Sequence, residues 1–157
     1  MAYRTVYLTV ESGGFTTNGD GEWVDFYVTS GGEAFGAYEP YAIEIDFSGV
    51  TSYYGSSVTH AWKIKISGDG DYGEYGDDYE TIAEFSRSMY DDTANFDLGY
   101  TTLGSSAISI LKNYGLTNIG IFQNNDRRIV GKSSASAVAT IYYNEPSYDW
   151  NYGPSNV

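Results

Sequence analysis

Short runs in which branched or aromatic side chains alternate with polar ones constrain this chain more than any other feature. A period of two is satisfied only on a pleated strand with one buried and one wet face. Thr5 to Glu11 sets Val6, Leu8 and Val10 against Tyr7 and Thr9, and Ser12-Gly13-Gly14 ends it. Glu22 to Thr29 puts Val24, Phe26 and Val28 on one face and Trp23, Asp25 and Tyr27 on the other, between Asn18-Gly19-Asp20-Gly21 and Ser30-Gly31-Gly32. These two strands can pair as a hairpin. Tyr41 to Phe47 turns Ile43, Ile45 and Phe47 inward and Glu44 and Asp46 outward, and Val58 to Ile66 sets Val58, His60, Trp62, Ile64 and Ile66 against Thr59, Ala61, Lys63 and Lys65. Both read as half-buried strands, and a lone His on such an apolar face reads as a core residue.

Thr81 to Arg87, Thr117 to Gln123, Arg128 to Gly131 and Val138 to Tyr143 add further strands, with Asn124-Asn125-Asp126 turning Thr117–Gln123 back onto Arg128–Gly131 as a hairpin. Ser67 to Glu80 is rich in Gly and Asp and fits no period, so it reads as an exposed loop; Asp91 to Tyr100 reads as a looser stretch. Ser105 to Tyr114 is the one ambiguous segment. Ile108, Leu111 and the following Gly115 suit a short helix with a glycine C-cap, although Ala107-Ile108-Ser109-Ile110 also alternates. Eight or nine short strands between glycine-rich turns predict an all-β fold, a two-sheet antiparallel β-sandwich of jelly-roll or Greek-key type with at most one short helix. The expected organisation is one domain over residues 1–146, followed by a C-terminal extension at 147–157 that is flexible or partner-bound.

Composition agrees with that class and excludes several functions. Ile and Val number 20 and Leu 5, the bias of a pleated surface. Gly supplies 19 of 157 residues, well above the usual ~7%, and falls mostly between the apolar runs. With no Cys and one His, thiolate zinc sites and imidazole clusters are excluded. A formal charge of -13 argues against nucleic acid, since phosphate binding draws on Lys and Arg. No run approaches the ~18 apolar residues of a membrane span. The N-terminal residues enter strand alternation without the apolar stretch of a signal peptide, so synthesis in the cytoplasm without a leader is expected.

Three groups of side chains are candidate sites. Asp69, Asp71, Glu74, Asp77 and Asp78 offer hard oxygen ligands on a glycine-rich backbone, the chemistry a Ca²⁺ ion requires, without the EF-hand spacing; no other cofactor is expected. An acidic loop that is merely solvated is the plainer alternative. The exposed ring candidates are Trp23, Tyr27, Tyr53, Tyr54, Tyr72, Tyr75, Tyr142, Tyr148, Trp150 and Tyr152. Such rings stack on sugar faces or provide contact area between proteins. For carbohydrate the set is Trp23, Tyr27, Tyr53 and Tyr54; for a protein interface it is Tyr148, Trp150 and Tyr152 of the extension with Arg127, Arg128 and Lys132. Residues 1–100 hold 18 acids and 4 bases, whereas 101–157 hold 3 acids and 4 bases. An identical neighbour can therefore set its basic edge against this acidic loop in a head-to-tail contact; ordinary surface charges, which contribute little, are the plainer alternative.

The closing run Ser136-Ala137-Val138-Ala139-Thr140-Ile141-Tyr142-Tyr143-Asn144-Glu145-Pro146 is similar to the last strand of jelly-roll modules in fibres and surface proteins. In this and in its general style, the chain resembles the small β-sandwich accessory proteins of tailed-phage virions. Such proteins are made in the host cytoplasm and reach the outside by lysis. The resemblance implies a non-enzymatic structural protein of a virion or similar extracellular particle, as capsid decoration, head-fibre or tail component. Its partners are then further copies or other virion proteins. The alternative is a carbohydrate-binding module with an aromatic platform, Ca²⁺-dependent in one version, whose partners are surface glycans. A small glycosidase-like enzyme ranks third, because it requires two convergent carboxylates in a pocket.

Overall fold

Alternating strands bury their apolar faces only by pairing edge to edge and then layer on layer. The computed structural model describes residues 2–10, 15–16, 23–53, 58–68, 80–89, 96–123 and 128–146. Along the chain run β1 (Ala2–Thr9), β2 (Phe15–Thr16), β3 (Trp23–Ser30), β4 (Glu39–Tyr53), β5 (Val58–Ser67), β6 (Glu80–Met89), β7 (Leu98–Thr102), α1 (Ser105–Asn113), β8 (Asn118–Gln123) and β9 (Arg128–Asn144). Every strand pairing is antiparallel. The hydrogen-bonded order is β6-β5-β8-β3-β1-β9-β4-β7, with β2 continuing the line of β1 along β9.

This order resolves into two four-stranded layers, β1-β9-β4-β7 and β3-β8-β5-β6, joined where β1 pairs with β3. With the two-residue β2 set aside, the chain changes layer at every step except β5 to β6, the pattern of a jelly roll: β1, β9, β4 and β7 on one side, their sequence neighbours on the other. The expected antiparallel sandwich is therefore the fold. Val6 and Leu8 of β1, Ile43 and Ile45 of β4, Leu98 of β7 and Ile141 of β9 are buried from the first layer; Phe26, Ile64, Ile66, Ile119 and Ile121 are buried from the second. Phe26 meets Phe47 across the gap, with ring centroids 5.2 Å apart. Inward positions 135, 137 and 139 of the central strand β9 are all alanine, which leaves volume for the larger side chains of the facing layer.

Helix α1 lies between β7 and β8 in sequence and buries Ala107 and Leu111 in the same core. Its last carbonyls need partners. Gly115 N–H donates to the Leu111 carbonyl at 3.1 Å, and the segment after β3 supplies Phe35 N–H to Leu111 and Gly36 N–H to Lys112. Arg4 ties that segment down from β1: its guanidinium donates to the Glu33 carbonyl at 2.6 Å and stands 3.9 Å over the Phe35 ring.

Three expectations require correction. The turn signal at Asn124-Asn125-Asp126 does not close a hairpin. β8 pairs with β3 and β5, while β9 pairs with β1, β2 and β4, so the chain changes layer between them. Turn residues specify a reversal, not the layer in which the chain lands. Arg128–Gly131 and Val138–Tyr143 are one strand, because the chain stays extended between them: Ala137 and Ser136 pair with Phe47 and Ser48, Gly131 pairs with Val50, and residues 132–135 take up the register irregularity between Ser48 and Val50. The looser stretch contains β7, a short edge strand whose Gly99 interrupts the alternation. Of the expected loop from Ser67 to Glu80, Ser67 ends β5 and Glu80 begins β6, and residues 69–79 lie outside the described residues, as does the extension at 147–157.

Gly115 caps α1 with φ +81°, and a side chain there would meet the Gly32 carbonyl oxygen at 2.1 Å. Gly99 by contrast has ordinary φ and open space around it. Gly115→Ala is expected to cost at least ~2 kcal/mol and to lower Tm by about 4–8 °C, with Gly99→Ala close to neutral in the same thermal melts. Equal melting shifts for the two would contradict this account of the helix end.

Candidate functional site: a tyrosine face on the outer layer

Because β1 turns Val6 and Leu8 inward, parity turns Tyr3, Thr5, Tyr7 and Thr9 outward. Beside it β9 presents Ser136, Val138, Thr140 and Tyr142, all half-buried, and β4 presents Glu44 and Asp46. Tyr3 lies opposite Tyr142, Thr5 opposite Thr140, and Thr140 in turn opposite Glu44. The outer face of this layer is thus a flat field of tyrosine and threonine.

Tyr142 is its centre. The Tyr100 ring lies 5.3 Å away, Tyr3 6.2 Å and Tyr41 6.4 Å, all tilted rather than stacked flat. Ala42 shares the parity of Glu44 and pairs with Tyr142, yet it is fully buried and lies outside the main core cluster. The surrounding rings form a second, small apolar cluster above it. Tyr3, Tyr7 and Tyr100 nonetheless keep 61%, 51% and 56% of their surface exposed.

The Tyr142 hydroxyl donates to Glu44 Oε1 at 2.6 Å, a charge-assisted bond across adjacent strands. That bond, then burial, then the Glu44 charge push the Tyr142 phenol up to about 12, with Tyr100 and Tyr41 adding to the effect. At neutral pH the ring is therefore a fixed donor. Glu44 and Asp46 are the charges on this face; among the described side chains no Lys or Arg stands on it. Bases occur elsewhere: Lys63 pairs with Glu84 at 3.2 Å on the other layer, where burial and then Lys63 lower the Lys65 pKa, and Lys112 pairs with Glu39 beside α1.

The other candidates fall in different places. Tyr27 is half-buried on β3 and lines a shallow cleft of about 420 Å³ with Thr29, Ser30, Glu33 and Thr117. Trp23 is on the same strand, whereas Tyr53 ends β4 in the opposite layer, paired with Arg128 of β9. Lys132 also lies on β9, inside the sheet. The side chains of Trp23, Tyr53, Arg128 and Lys132 lie outside the described residues, as do Tyr54, Asp69, Asp71, Glu74, Asp77, Asp78, Arg127, Tyr148, Trp150 and Tyr152. Among the described residues, no group of three His, Asp or Glu is placed to hold a metal, and no helix is long and apolar enough to cross a membrane.

Of the two ring candidates whose side chains are described, Tyr27 and Tyr142, Tyr142 is the one at the centre of a ring cluster. Sequence reasoning missed Tyr3, Tyr41 and Tyr100; the alternation of Tyr3, Thr5, Tyr7 and Thr9 against Val6 and Leu8 was the available signal. No family model and no curated protein sequence matches the chain. Among solved structures it is similar to the Eiger TNF from S. frugiperda, with a TM-score of 0.48 and 13% identity over 96% of this chain and 98% of that one.

The folded protein holds the Tyr142 proton more tightly than the unfolded chain does. The pair therefore contributes its full stabilisation below about pH 10, and that contribution is lost as the pH rises through about 12. In an NMR titration of ring-labelled tyrosine, Tyr142 should ionise near pH 12 and return toward 10 in Glu44→Ala. Unchanged ionisation in that variant would contradict the assignment.

Proposed function

We propose that this chain is a non-enzymatic structural module of a virion or similar extracellular assembly, a capsid-decoration, head-fibre or tail component, that joins its neighbours through the tyrosine face. The observation that carries this reading is the grouping of Tyr3, Tyr41, Tyr100 and Tyr142 on one sheet surface, with three of the face's tyrosines more than half exposed. Protein interfaces are enriched in aromatic rings and depleted of charge at their centre. In a chain of net charge -13, a copy of like charge approaches most easily where charge is sparsest. Tyrosine also supplies large contact area with few rotatable bonds, so little entropy is lost on docking.

Static light scattering over a dilution series tests the reading. The intact chain should form a defined oligomer, and Tyr3→Ser/Tyr100→Ser should raise its dissociation constant by at least ~10-fold with an unchanged far-ultraviolet spectrum. If deletion of residues 147–157 disperses the oligomer while the double variant leaves it intact, the contact belongs to the extension and not to this face. A monomer at every concentration that retains polysaccharide through the same tyrosines would replace the reading with a carbohydrate-binding module.

A further inference from the structure

Tyr142 has a base on one side and a second phenol on the other. Its hydroxyl donates to Glu44 Oε1 at 2.6 Å, and its ring lies 5.3 Å from the Tyr100 ring at a tilt of 47°. Tyr142 belongs to β9 and Tyr100 to the edge strand β7, with β4 between them. Ala42 of β4 pairs with Tyr142 on one side and with Thr102 on the other, and its small side chain leaves the space above β4 to the two rings. Tyr3 and Tyr41 stand farther off, at 6.2 and 6.4 Å. A phenol bonded to a carboxylate loses an electron more easily than a free one. The oxidised ring is a far stronger acid than a carboxylic acid, so its proton passes along the existing hydrogen bond as the electron leaves.

We propose that Tyr100 and Tyr142 form an oxidative cross-linking site, at which a one-electron oxidant joins the two rings carbon to carbon as dityrosine. Two equivalents of oxidant take one electron from each ring. Glu44 accepts the Tyr142 proton, and water takes that of Tyr100, which is 56% exposed. The two phenoxyl radicals couple through ring carbons ortho to oxygen. The hydrogen on each joined carbon then moves to the oxygen of its own ring, so both rings are phenols again and the pair has lost two electrons and two protons. Forming the bond draws the rings together by about 1 Å, within the reach of small χ adjustments. The product ties edge strand β7 to central strand β9 and closes the chain from Tyr100 to Tyr142 into a loop, the constraint that a disulfide supplies in chains with cysteine, of which this one has none. The site lies within one chain and does not depend on assembly.

Tyr38 and Tyr143 provide a comparison within the same molecule. Their rings are also 5.3 Å apart, but neither hydroxyl makes a hydrogen bond among the described residues. The full chain at high dilution is oxidised with photogenerated tris(bipyridine)ruthenium(III), and peptide mass spectrometry maps the cross-links. The Tyr100–Tyr142 link, lighter than its two peptides by two hydrogen atoms, is expected to form at least ~10-fold faster than Tyr38–Tyr143. Glu44→Gln, whose amide oxygen still accepts the hydrogen bond but is not a base, should remove that advantage and leave the Tyr38–Tyr143 rate unchanged, with the far-ultraviolet spectrum of the parent chain. Tyr100→Phe should abolish the link. Dityrosine that maps mainly to other pairs, or that joins separate chains at high dilution, overturns the site. A Tyr100–Tyr142 rate unaltered in Glu44→Gln overturns the part given to Glu44.

Discussion

Strand β9 is hydrogen-bonded along both edges, to β1 and β2 on one side and to β4 on the other, and the period of two makes it serve two surfaces at once. Its inward residues are the alanines that let the facing layer fill the core. Its outward residues run through Val138 and Thr140 to Tyr142, the ring around which the outer cluster is built. A side chain on a doubly paired central strand has little freedom to reorient. The tyrosine cluster is therefore organised within the folded chain itself, the kind of preorganisation that would lower the entropic cost of the docking proposed above.

Charge sets the outer tyrosine face apart from the rest of the described surface. Ion pairs such as Lys63–Glu84 and Lys112–Glu39 are solvent-accessible, and pairs of that kind contribute little to stability. The bond from Tyr142 to Glu44 differs in kind, because it joins a cluster of rings to a carboxylate on the neighbouring strand and fixes the phenol as a donor. Among the described side chains, the outer face of β1-β9-β4-β7 is thus sparse in charge without being apolar. These combine rings, hydroxyls and the Glu44 and Asp46 carboxylates, which suits a selective contact better than a greasy patch would.

Much of the fold was legible because it follows from alternation. The inward sets of β1 and β4, Ile64 and Ile66 of β5, and the short helix with Gly115 beyond its end could be read residue by residue. Alternation does not encode layer assignment. The path from β8 to β9 therefore looked like a hairpin, and the stretch 132–137, made of Lys, Ser and Ala, looked like a gap in what is one strand. The site was less legible for a related reason. Tyr142 could be chosen as a surface ring, but Tyr3, Tyr41 and Tyr100 belong to three other strands, and only the order β1-β9-β4-β7 brings them to one place. Glu44 read as an ordinary outward acid until the pairing with β9 set it beside the Tyr142 hydroxyl.

Hydroxyl-radical footprinting of the intact chain, below and above the concentration at which it assembles, is the most direct measurement of whether this face is the contact surface. Tyr3, Tyr7 and Tyr100 should be oxidised readily in the dilute protein and become protected together on assembly, while the equally exposed Tyr114, at the C-terminal end of α1 and away from the face, stays reactive. Oxidation of the three at the same rate in both states, with protection appearing elsewhere on the chain, would contradict the account.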